Sequence, residues 1–349
     1  MIGLLLPAIV LTLAAVSPAT TGDEVVVDRT LVERAAAAAE RALPKGRRLR
    51  CEVSTEWHRA PDGAEHIDPK VPPYTTESHI VSMWGDRTVC ERVVSLNAGY
   101  SYAKAFDDGY LYNIALAEND CSVQKHDLFD VDTFGLPLLL QIDVPSAIGG
   151  QGSVAETIRR GTAVAVEETG THISIRLIPP GAQEALDKAT DERKAPRMKA
   201  WVYGVTVDTA DPPRLVEAWT ELPALKSRLP DGTERDTPAR NDRWTVVEWQ
   251  GVGDETIARV LRRTTSDPSD GREIVEVVRV IEVEAIPVHV PPPPILADGF
   301  QVRATKDKLL FVVGSRDITY QGRTLRLKEP LRKHPGAKLE ELIATAEAR

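Results

Sequence analysis

The chain lacks the sequence signatures of most enzyme classes. Its 349 residues contain no Gly-x-Ser-x-Gly elbow, no His-Glu-x-x-His helix, no Gly-Lys-Ser/Thr phosphate loop and no Cys-x-x-Cys pair. The glycines Gly251 and Gly253 have no third partner and lie between two strand-like segments, which is typical of a turn. These absences favour a non-enzymatic protein that uses no cofactor.

Positive charge is also in short supply. The sequence has 43 Lys and Arg against 52 Asp and Glu, a net charge of −9. Because nucleic-acid binding needs a positive field, this balance predicts no nucleic-acid partner. One stretch runs against the trend, since Lys306 to Lys338 carries nine basic residues against three acidic ones. It indicates either a solvated face or docking on an anionic surface of the cell envelope.

No hydrophobic run has the length of about 20 residues that a membrane-spanning helix needs. The apolar run Ile2 to Val16 is shorter, is interrupted by Pro7 and precedes the small-residue site Ser17-Pro-Ala19. It predicts a signal peptide over residues 1–19, a periplasmic or secreted location, and no transmembrane segment after cleavage. No Lys or Arg precedes the run, so a buried or anchoring helix is the alternative.

Potential cross-linking and metal-binding residues are few. Cys51 and Cys90 lie in strand-like segments and form a disulfide candidate if the protein is exported, which leaves Cys121 spare. Three buried thiols are the equal alternative. The seven histidines are scattered without tight ligand spacing, so the sequence predicts no metal site.

What the sequence does contain is a dense β pattern. In its clearest part, turn residues separate Trp244–Gln250, Thr256–Thr264 and Glu273–Ala285, which predicts an antiparallel meander. In the last segment the predicted buried face is Val275, Val277, Ile281 and Val283. The predicted solvent face is Glu276, Glu282 and Glu284.

The N-terminal part predicts a helix followed by further strands. A capping box at Thr30 and a run of alanines favour a helix over Thr30–Leu43, and the uniformly apolar Phe134–Val144 indicates a short buried helix or lid. The other predicted strands are Arg48–Arg59, His79–Trp84, Thr88–Leu96, Tyr100–Phe106, Tyr110–Leu116, Thr162–Glu167, His172–Ile178, Met198–Asp208 and Leu215–Leu222.

Together these elements predict an α+β, mostly β fold. Its centre is a curved antiparallel sheet, a half-barrel, covered on its concave side by the N-terminal helix and the mid-chain apolar segment. The predicted domains are the β-rich residues 28–285, a Pro-rich linker over 286–298 and a small basic extension over 299–349. The extension is predicted to contain short strands within Phe300–Leu327 and a helix over Lys338–Ala348.

This order of elements resembles the LolA-like periplasmic lipoprotein carriers and the RseB-like envelope sensors, which add a second small domain. The resemblance implies a concave apolar face that holds the acyl chain of a lipid or lipoprotein ligand. Core packing is the alternative role for the same aromatic residues. The ligand-facing residues would be Trp57, Trp84, Tyr100, Tyr102, Tyr110, Tyr112, Trp201, Tyr203, Trp219 and Trp249.

Three hypotheses therefore stand at the level of sequence. The first is an exported, non-enzymatic protein that binds an apolar or amphipathic ligand in a curved sheet. The second is a structural or interaction module of the cell envelope with a filled core. The third is a hydrolase with an unrecognised site, which a convergence of carboxylates or histidines in a cleft would favour.

Overall fold

The structure is a computed structural model. It describes residues 27–42, 48–61, 64, 67–68, 70–84, 88–95, 101–107, 109–125, 154–178, 202–222, 225–228, 234–237, 240–252, 255–266 and 271–348. The predicted signal peptide and the predicted segment Phe134–Val144 lie outside these residues.

The helices are short and mostly packed against the sheet. Helix α1 spans Arg29–Ala42 and α2 spans Val154–Arg160, and near the C terminus a 3-10 turn over Gly336–Lys338 leads into α3 at Leu339–Ala344. The cap of α1 is Asp28 rather than the predicted Thr30, because Asp28 Oδ1 accepts hydrogen bonds from the backbone N–H groups of Thr30 (2.8 Å) and Leu31 (3.4 Å). The predicted C-terminal helix is too long, since α3 ends at Ala344.

The strands dominate the fold, as the sequence predicts. The first half of the chain contains β1 Arg48–Arg59, β2 Thr75–Trp84, β3 Thr88–Ser95, β4 Ser101–Asp107, β5 Tyr110–Ala115, β6 Asp120–Lys125, β7 Thr162–Thr169 and β8 His172–Ile178. The next group is β9 Val202–Asp208, β10 Arg214–Leu222, β11 Leu225–Arg228, β12 Glu234–Thr237, β13 Arg240–Val252, β14 Glu255–Ser266 and β15 Glu273–Ala285. The last group is β16 Gln301–Ala304, β17 Leu309–Val312, β18 Asp317–Tyr320, β19 Arg323–Arg326 and β20 Glu347–Ala348.

Apart from the small hairpin of β11 and β12, the described strands form one curved sheet. Its spatial order is β7-β8-β9-β10-β13-β14-β15-β1-β2-β3-β4-β5-β6-β16-β17-β18-β19-β20. Neighbouring strands are antiparallel except β6 and β16, which pair in parallel from Gln301 opposite Asp120 to Arg303 opposite Ser122. The strand β1 lies between β2 and β15, so the first strand of the chain joins the meander predicted from its later part. The predicted α+β, mostly β fold with a curved sheet is thereby confirmed.

One face of the sheet is covered by α1 and α2, and we call it the concave face. Helix α1 packs against α2 and against β7 to β10 through a stripe of alanines, because side chains this small allow a helix to lie close to a sheet. Ion pairs join the helices at Arg159, whose guanidinium lies 2.8 Å from Glu40 and 3.6 Å from Glu33. The core under the helices, the concave core, includes Val53, Val81, Tyr203, Val205, Trp244, Leu261 and Val278.

A second core lies on the opposite face of β4 to β6. In β5 the side chain of Leu111 belongs to the concave core, whereas its neighbour Tyr112 belongs to the second core. The C-terminal extension supplies the other side of this second core with Val302, Phe311, Ile318, Leu327 and Leu331. The extension thus continues the main sheet through β16; the predicted boundaries at 285 and 299 remain a prediction.

The burial of β15 agrees only in part with the sequence prediction. Val275 is buried as predicted, but Glu276, Val278 and Val280 are buried as well, whereas Ile281 is 67% exposed. The exposure of Ile281 results from a bulge. The register of β1 and β15 shifts at Glu52/Val53, which displaces Ile281 outward and returns Val283 to the concave side.

Among the described residues, no helix combines the length and apolarity needed to cross a bilayer.

Candidate functional site

A row of polar and aromatic side chains crosses four strands at one end of the concave face. Trp244 in β13 lies opposite Arg263 in β14, Arg263 lies opposite Glu276 in β15, and Glu276 lies opposite Trp57 in β1. Directly paired residues project from the same face of a sheet. Because Trp244 belongs to the concave core, the whole row lies on the concave face.

Arg263 is the fixed cation of this row. Its Nε and Nη2 donate to the two carboxylate oxygens of Asp242 at 2.8 and 2.7 Å, a bidentate pair. Its Nη1 donates to Glu276 Oε2 at 3.4 Å, and the guanidinium carbon lies 5.0 Å from the centre of the Trp244 ring. The cation is therefore held between two carboxylates and an aromatic face, with little freedom to turn toward another anion.

Burial changes the proton affinity of the Glu276 carboxyl group. Its side chain is almost fully buried, and that burial raises its pKa to about 7, against opposing effects of the nearby Arg263 and His79. Asp242 acts in the same direction as burial because it is a like charge. Near neutral pH this carboxyl is thus protonated in a large fraction of the molecules.

A second polar group adjoins this row on β1 and β2. Thr55 lies opposite Glu77 in β2 and opposite Val278 in β15, two residues from Glu276. His79 Nε2 lies 3.6 Å from Glu77 Oε2, and all three side chains are buried. In the part of the chain that the structure describes, Thr55 Oγ1 has no hydrogen-bond partner although it is 1% exposed. A buried hydroxyl without a partner is unfavourable, so this one is available to a further group.

The concave face becomes apolar away from this polar end. Along β1 and β2 the next buried side chains are Val53, Cys51 and Leu49, with Val81 and Met83 beside them. The face therefore has the polarity of an amphiphile, with ionisable groups at one end and aliphatic groups at the other. We call the set Thr55, Glu77, His79, Asp242, Arg263 and Glu276 the polar end.

The structure places four of the predicted ligand-facing aromatics on the concave face. Trp57 belongs to the row described above, and Tyr203 is fully buried in the concave core, against which Trp249 also packs. Tyr102 alternates with Phe106, which belongs to the same core, so it faces the same side.

The other predicted aromatics are not brought to that face. Tyr110 and Tyr112 belong to the second core, and Trp84 follows Met83 of the concave core, so it projects from the opposite side of β2. Trp219 lies across Gly204 with Arg176 and Arg243 over its ring at 5.5 and 5.8 Å, a packed cross-strand cluster. Tyr100 and Trp201 lie outside the described residues.

The predicted disulfide is contradicted by the register. Cys51 in β1 lies opposite Val81 in β2, whereas Cys90 in β3 lies opposite Ser82, so a whole strand separates the two cysteines. Two strand spacings amount to about 10 Å. A disulfide requires Cα atoms within about 7 Å, so Cys51 and Cys90 cannot be bridged in this fold. Cys121 is buried in the second core, and burial raises the pKa of its thiol to about 12.

Sequence reasoning missed the whole polar end. It placed Glu276 on the solvent face and treated the histidines, His79 among them, as scattered. The alternation of Glu276 with Val278 and Val280 was the local signal that this face is buried. The order of the strands was the missing information, because β1 and β15 are far apart in the sequence.

The polar end has the proton affinity of an acid–base group but not the layout of a catalytic centre. A carboxyl with a pKa of about 7 can give or take a proton at neutral pH. Its partner Arg263 is bound by Asp242, however, and these carboxylates lie on a buried face rather than in a cleft. Within the described ranges, no group of three or more His, Cys, Asp or Glu side chains is arranged to hold a metal ion.

Comparison with known proteins gives weak likenesses of fold. No family model and no curated protein matches the sequence. A LolA superfamily protein from Nitrosomonas europaea is 12% identical with a TM-score of 0.37, over 76% of this chain and 96% of that one. MucB in the Pseudomonas aeruginosa MucA/MucB complex is 11% identical with a TM-score of 0.20, over 73% and 98%.

The resemblance to LolA-like folds predicted from the order of elements is thus confirmed as a weak one. Likenesses with TM-scores this low say nothing about the ligand, partner or compartment of this chain.

Proposed function

We propose that this chain is an exported, non-enzymatic protein that binds an amphipathic ligand, a lipid or a lipoprotein-like molecule, on the concave face of its sheet. The observation that carries the proposal is the polar end within an otherwise apolar, buried face. The apolar residues along β1 and β2 provide contacts for a chain, and the polar end provides partners for a head group.

The energetic cost of the polar end supports this proposal. Burying charged groups costs several kcal/mol for each ion, and well-packed apolar residues are often as stable or more stable in their place. A sheet that only served as a scaffold has no need of Glu276 or of the unpartnered Thr55 hydroxyl. A ligand with a polar head group gives both of them a role.

A displacement assay tests the proposal. Dansyl-labelled undecanoic acid is titrated with the purified protein, and unlabelled amphiphiles of matched chain length are used as competitors. We expect saturable binding that is weakened about tenfold by Trp57→Ala, because Trp57 lies on the concave face next to Glu276. Absence of saturable binding by any amphiphile to the wild-type protein would refute the proposal.

The matched control is Trp84→Ala. Trp84 is a half-buried tryptophan on the neighbouring strand β2, but it projects from the opposite face. Its removal costs packing, as the removal of Trp57 does, without touching the proposed ligand. Equal losses of binding in the two variants would indicate a general loss of folding rather than a site on the concave face.

A filled structural core is the second candidate. The observation that favours it is the complete burial of several concave side chains, since Val81, Val205 and Leu261 are all 0% exposed. In that case the protein is a structural or interaction module of the cell envelope. The same titration separates the two candidates, because a filled core gives no saturable signal with any chain length.

Docking of the C-terminal extension on an anionic envelope surface belongs to the same proposal. Part of its positive charge is already paired, since Arg326, Arg332 and Lys333 each lie against a carboxylate. Lys306, Lys308 and Arg323 are exposed. We expect co-sedimentation with phosphatidylglycerol vesicles but not with phosphatidylcholine vesicles, and loss of this preference when these three residues are replaced by Gln. Equal sedimentation with both vesicles would exclude an electrostatic contact.

A further inference from the structure

The chain beyond β19 returns to β5 through a single buried histidine. His334 is 4% exposed, and its ring stacks on the ring of Tyr110 with centroids 4.2 Å apart. Its backbone N–H donates to Tyr112 Oη at 3.1 Å. These contacts hold residues 332–336, the 332–336 segment, against β5.

The two ring nitrogens of His334 have different surroundings. Nδ1 accepts a hydrogen bond from the backbone N–H of Gly336 at 3.1 Å, so the proton of the neutral ring is on Nε2. Nε2 lies 3.1 Å from Asp307 Oδ2 but makes no hydrogen bond of normal geometry within the described residues. The closed arrangement of the 332–336 segment therefore requires a neutral imidazole with an unprotonated Nδ1.

A second proton on this ring is incompatible with the closed arrangement. An imidazolium has a donor at each nitrogen and no acceptor, so an Nδ1–H group would point at the N–H of Gly336. The charged ring would also be buried among apolar side chains of the second core. In agreement with this geometry, burial lowers the pKa of His334 from its ordinary value of 6.5, and the charge of Asp307 opposes that effect without reversing it.

The other titratable and charged groups around the ring come from three elements. Tyr110 and Tyr112 belong to β5, Asp307 belongs to the turn between β16 and β17, and Asp107 at the end of β4 is paired with Lys333 of the segment itself. Burial raises the pKa of Tyr112, so its phenol stays neutral in mild acid. Among these groups Asp307 is the one that favours an imidazolium.

We propose that the 332–336 segment is an acid-sensitive latch, which is closed on β5 at neutral pH and opens locally when His334 takes up a second proton. The open form binds that proton more tightly than the closed form. Closure is therefore fully stable above the ordinary imidazole pKa of 6.5 and is weakened as the pH falls below it. The opening is local because the pairing of β16 with β6 and the second core still hold the rest of the extension.

Hydrogen exchange and an NMR titration of the full-length protein test the proposal together. The protection of the amides in residues 332–336, corrected for the intrinsic pH dependence of exchange, reports the closed fraction. At pH 5 a hydrated imidazole is about 30-fold more protonated than neutral, so we expect protection to fall about tenfold from pH 7.5 to pH 5. The ring of His334 should titrate with a pKa below 6.5. Protection that is independent of pH, or a ring that titrates at or above 6.5, would overturn the proposal.

Two substitutions assign the effect to this ring. In His334→Asn the amide oxygen replaces Nδ1 as the acceptor for the Gly336 N–H and does not titrate, so we expect weaker protection that is the same at pH 7.5 and pH 5. Glu276, with its pKa of about 7, titrates in both proteins, so its contribution cancels in the comparison. Asp307→Asn removes the charge that favours the imidazolium and should make the fall in protection steeper.

The matched control is His289→Asn, which replaces an exposed histidine of the Pro-rich segment and should leave the fall in protection as in the wild type. An equal loss of pH dependence in His289→Asn and His334→Asn would contradict the assignment to His334. If His334→Asn has no measurable protection at any pH, Asp307→Asn decides the question. A fall that is unchanged or shallower in that variant contradicts the latch, and a steeper one supports it.

Discussion

The two cores on opposite faces of β4 to β6 differ in the hydrogen bonding of their buried polar groups. In the second core, the backbone N–H of His334 donates to Tyr112 Oη at 3.1 Å, and Gly336 N–H donates to His334 Nδ1 at 3.1 Å. The ring of His334 stacks on Tyr110 with centroids 4.2 Å apart, and its Nε2 lies 3.1 Å from Asp307 Oδ2. The contacts with Tyr112 and Tyr110 tie the C-terminal extension to β5, and the other two hold His334 within the extension.

The concave core contains polar groups for which burial is unfavourable. The Thr55 hydroxyl lacks a partner in the described structure, and burial raises the pKa of Glu276. Satisfied polar groups fix one conformation of a core, whereas unsatisfied ones cost stability unless something else compensates. The difference is one of degree, because His334 Nε2 in the second core also lacks a hydrogen-bond partner within the described residues, although it lies 3.1 Å from Asp307 Oδ2.

The largest expected effect comes from opening a cavity in the second core. Phe311 is 2% exposed there, and Phe→Ala in a core costs about 3–5 kcal/mol. We expect Phe311→Ala to lower the free energy of unfolding measured in urea by that amount, while the affinity of the folded protein for amphiphiles stays unchanged. Loss of affinity in protein that is still folded would show that the two cores do not act separately.

The next effect depends on pH and concerns Glu276. Its folded pKa of about 7 exceeds its ordinary value of 4.5, so the folded state binds the proton more tightly. The stabilisation by this proton is complete below about pH 4.5 and is lost as the pH rises toward 7 and above. Glu276→Gln removes the titration. We therefore expect the stability of the variant relative to wild type to increase by roughly 3 kcal/mol from about pH 4.5 to about pH 8.

Urea unfolding at several pH values measures this difference, and constant effects of the substitution cancel in the comparison. The control, Glu248→Gln, removes an exposed carboxylate paired with Arg259 and reports the effect of a Glu→Gln substitution at the surface. A flat difference for Glu276→Gln would mean that its carboxyl is hydrated in solution.

A smaller effect is expected from removing a satisfied hydroxyl in the second core. Tyr112→Phe leaves the buried N–H of His334 without its acceptor, which costs about 1–3 kcal/mol. Differential scanning calorimetry should show a lower Tm, and proteolysis should cleave between the extension and the rest of the chain more readily. An unchanged Tm would mean that water replaces the phenol at this position.

Most of the local structure followed from the sequence, because it depends on local pattern. The strands Arg48–Arg59, His172–Ile178 and Glu273–Ala285 have the predicted bounds, and α1 differs from its predicted bounds by one residue at each end. Alternation and turn residues within a dozen positions are sufficient for such predictions. The strand β6 was missed, since DCSVQK has only two apolar positions that are buried.

The candidate site did not follow from the sequence, for two physical reasons. Its residues come from β1, β2, β13, β14 and β15, and only the order of strands brings them together. In addition, a single bulge at Glu52/Val53 exchanges the faces of part of β15. A shift of one residue moves every following side chain to the other side of a sheet, so Glu276 and Ile281 were assigned to the wrong faces.

The smallest expected effect is an increase in the free energy of unfolding rather than a decrease. It is the most direct test of the difference between the two cores. Thr55→Val replaces a buried hydroxyl by a methyl group of similar shape. Because Thr55 Oγ1 has no described partner, its removal relieves a desolvation cost and strands no other group. We expect the ligand-free protein to gain about 1 kcal/mol in urea unfolding, whereas removal of the satisfied hydroxyl in Tyr112→Phe lowers stability. A loss of stability in Thr55→Val without ligand would mean that the hydroxyl is already satisfied inside the fold, and that the concave core is as complete as the second one.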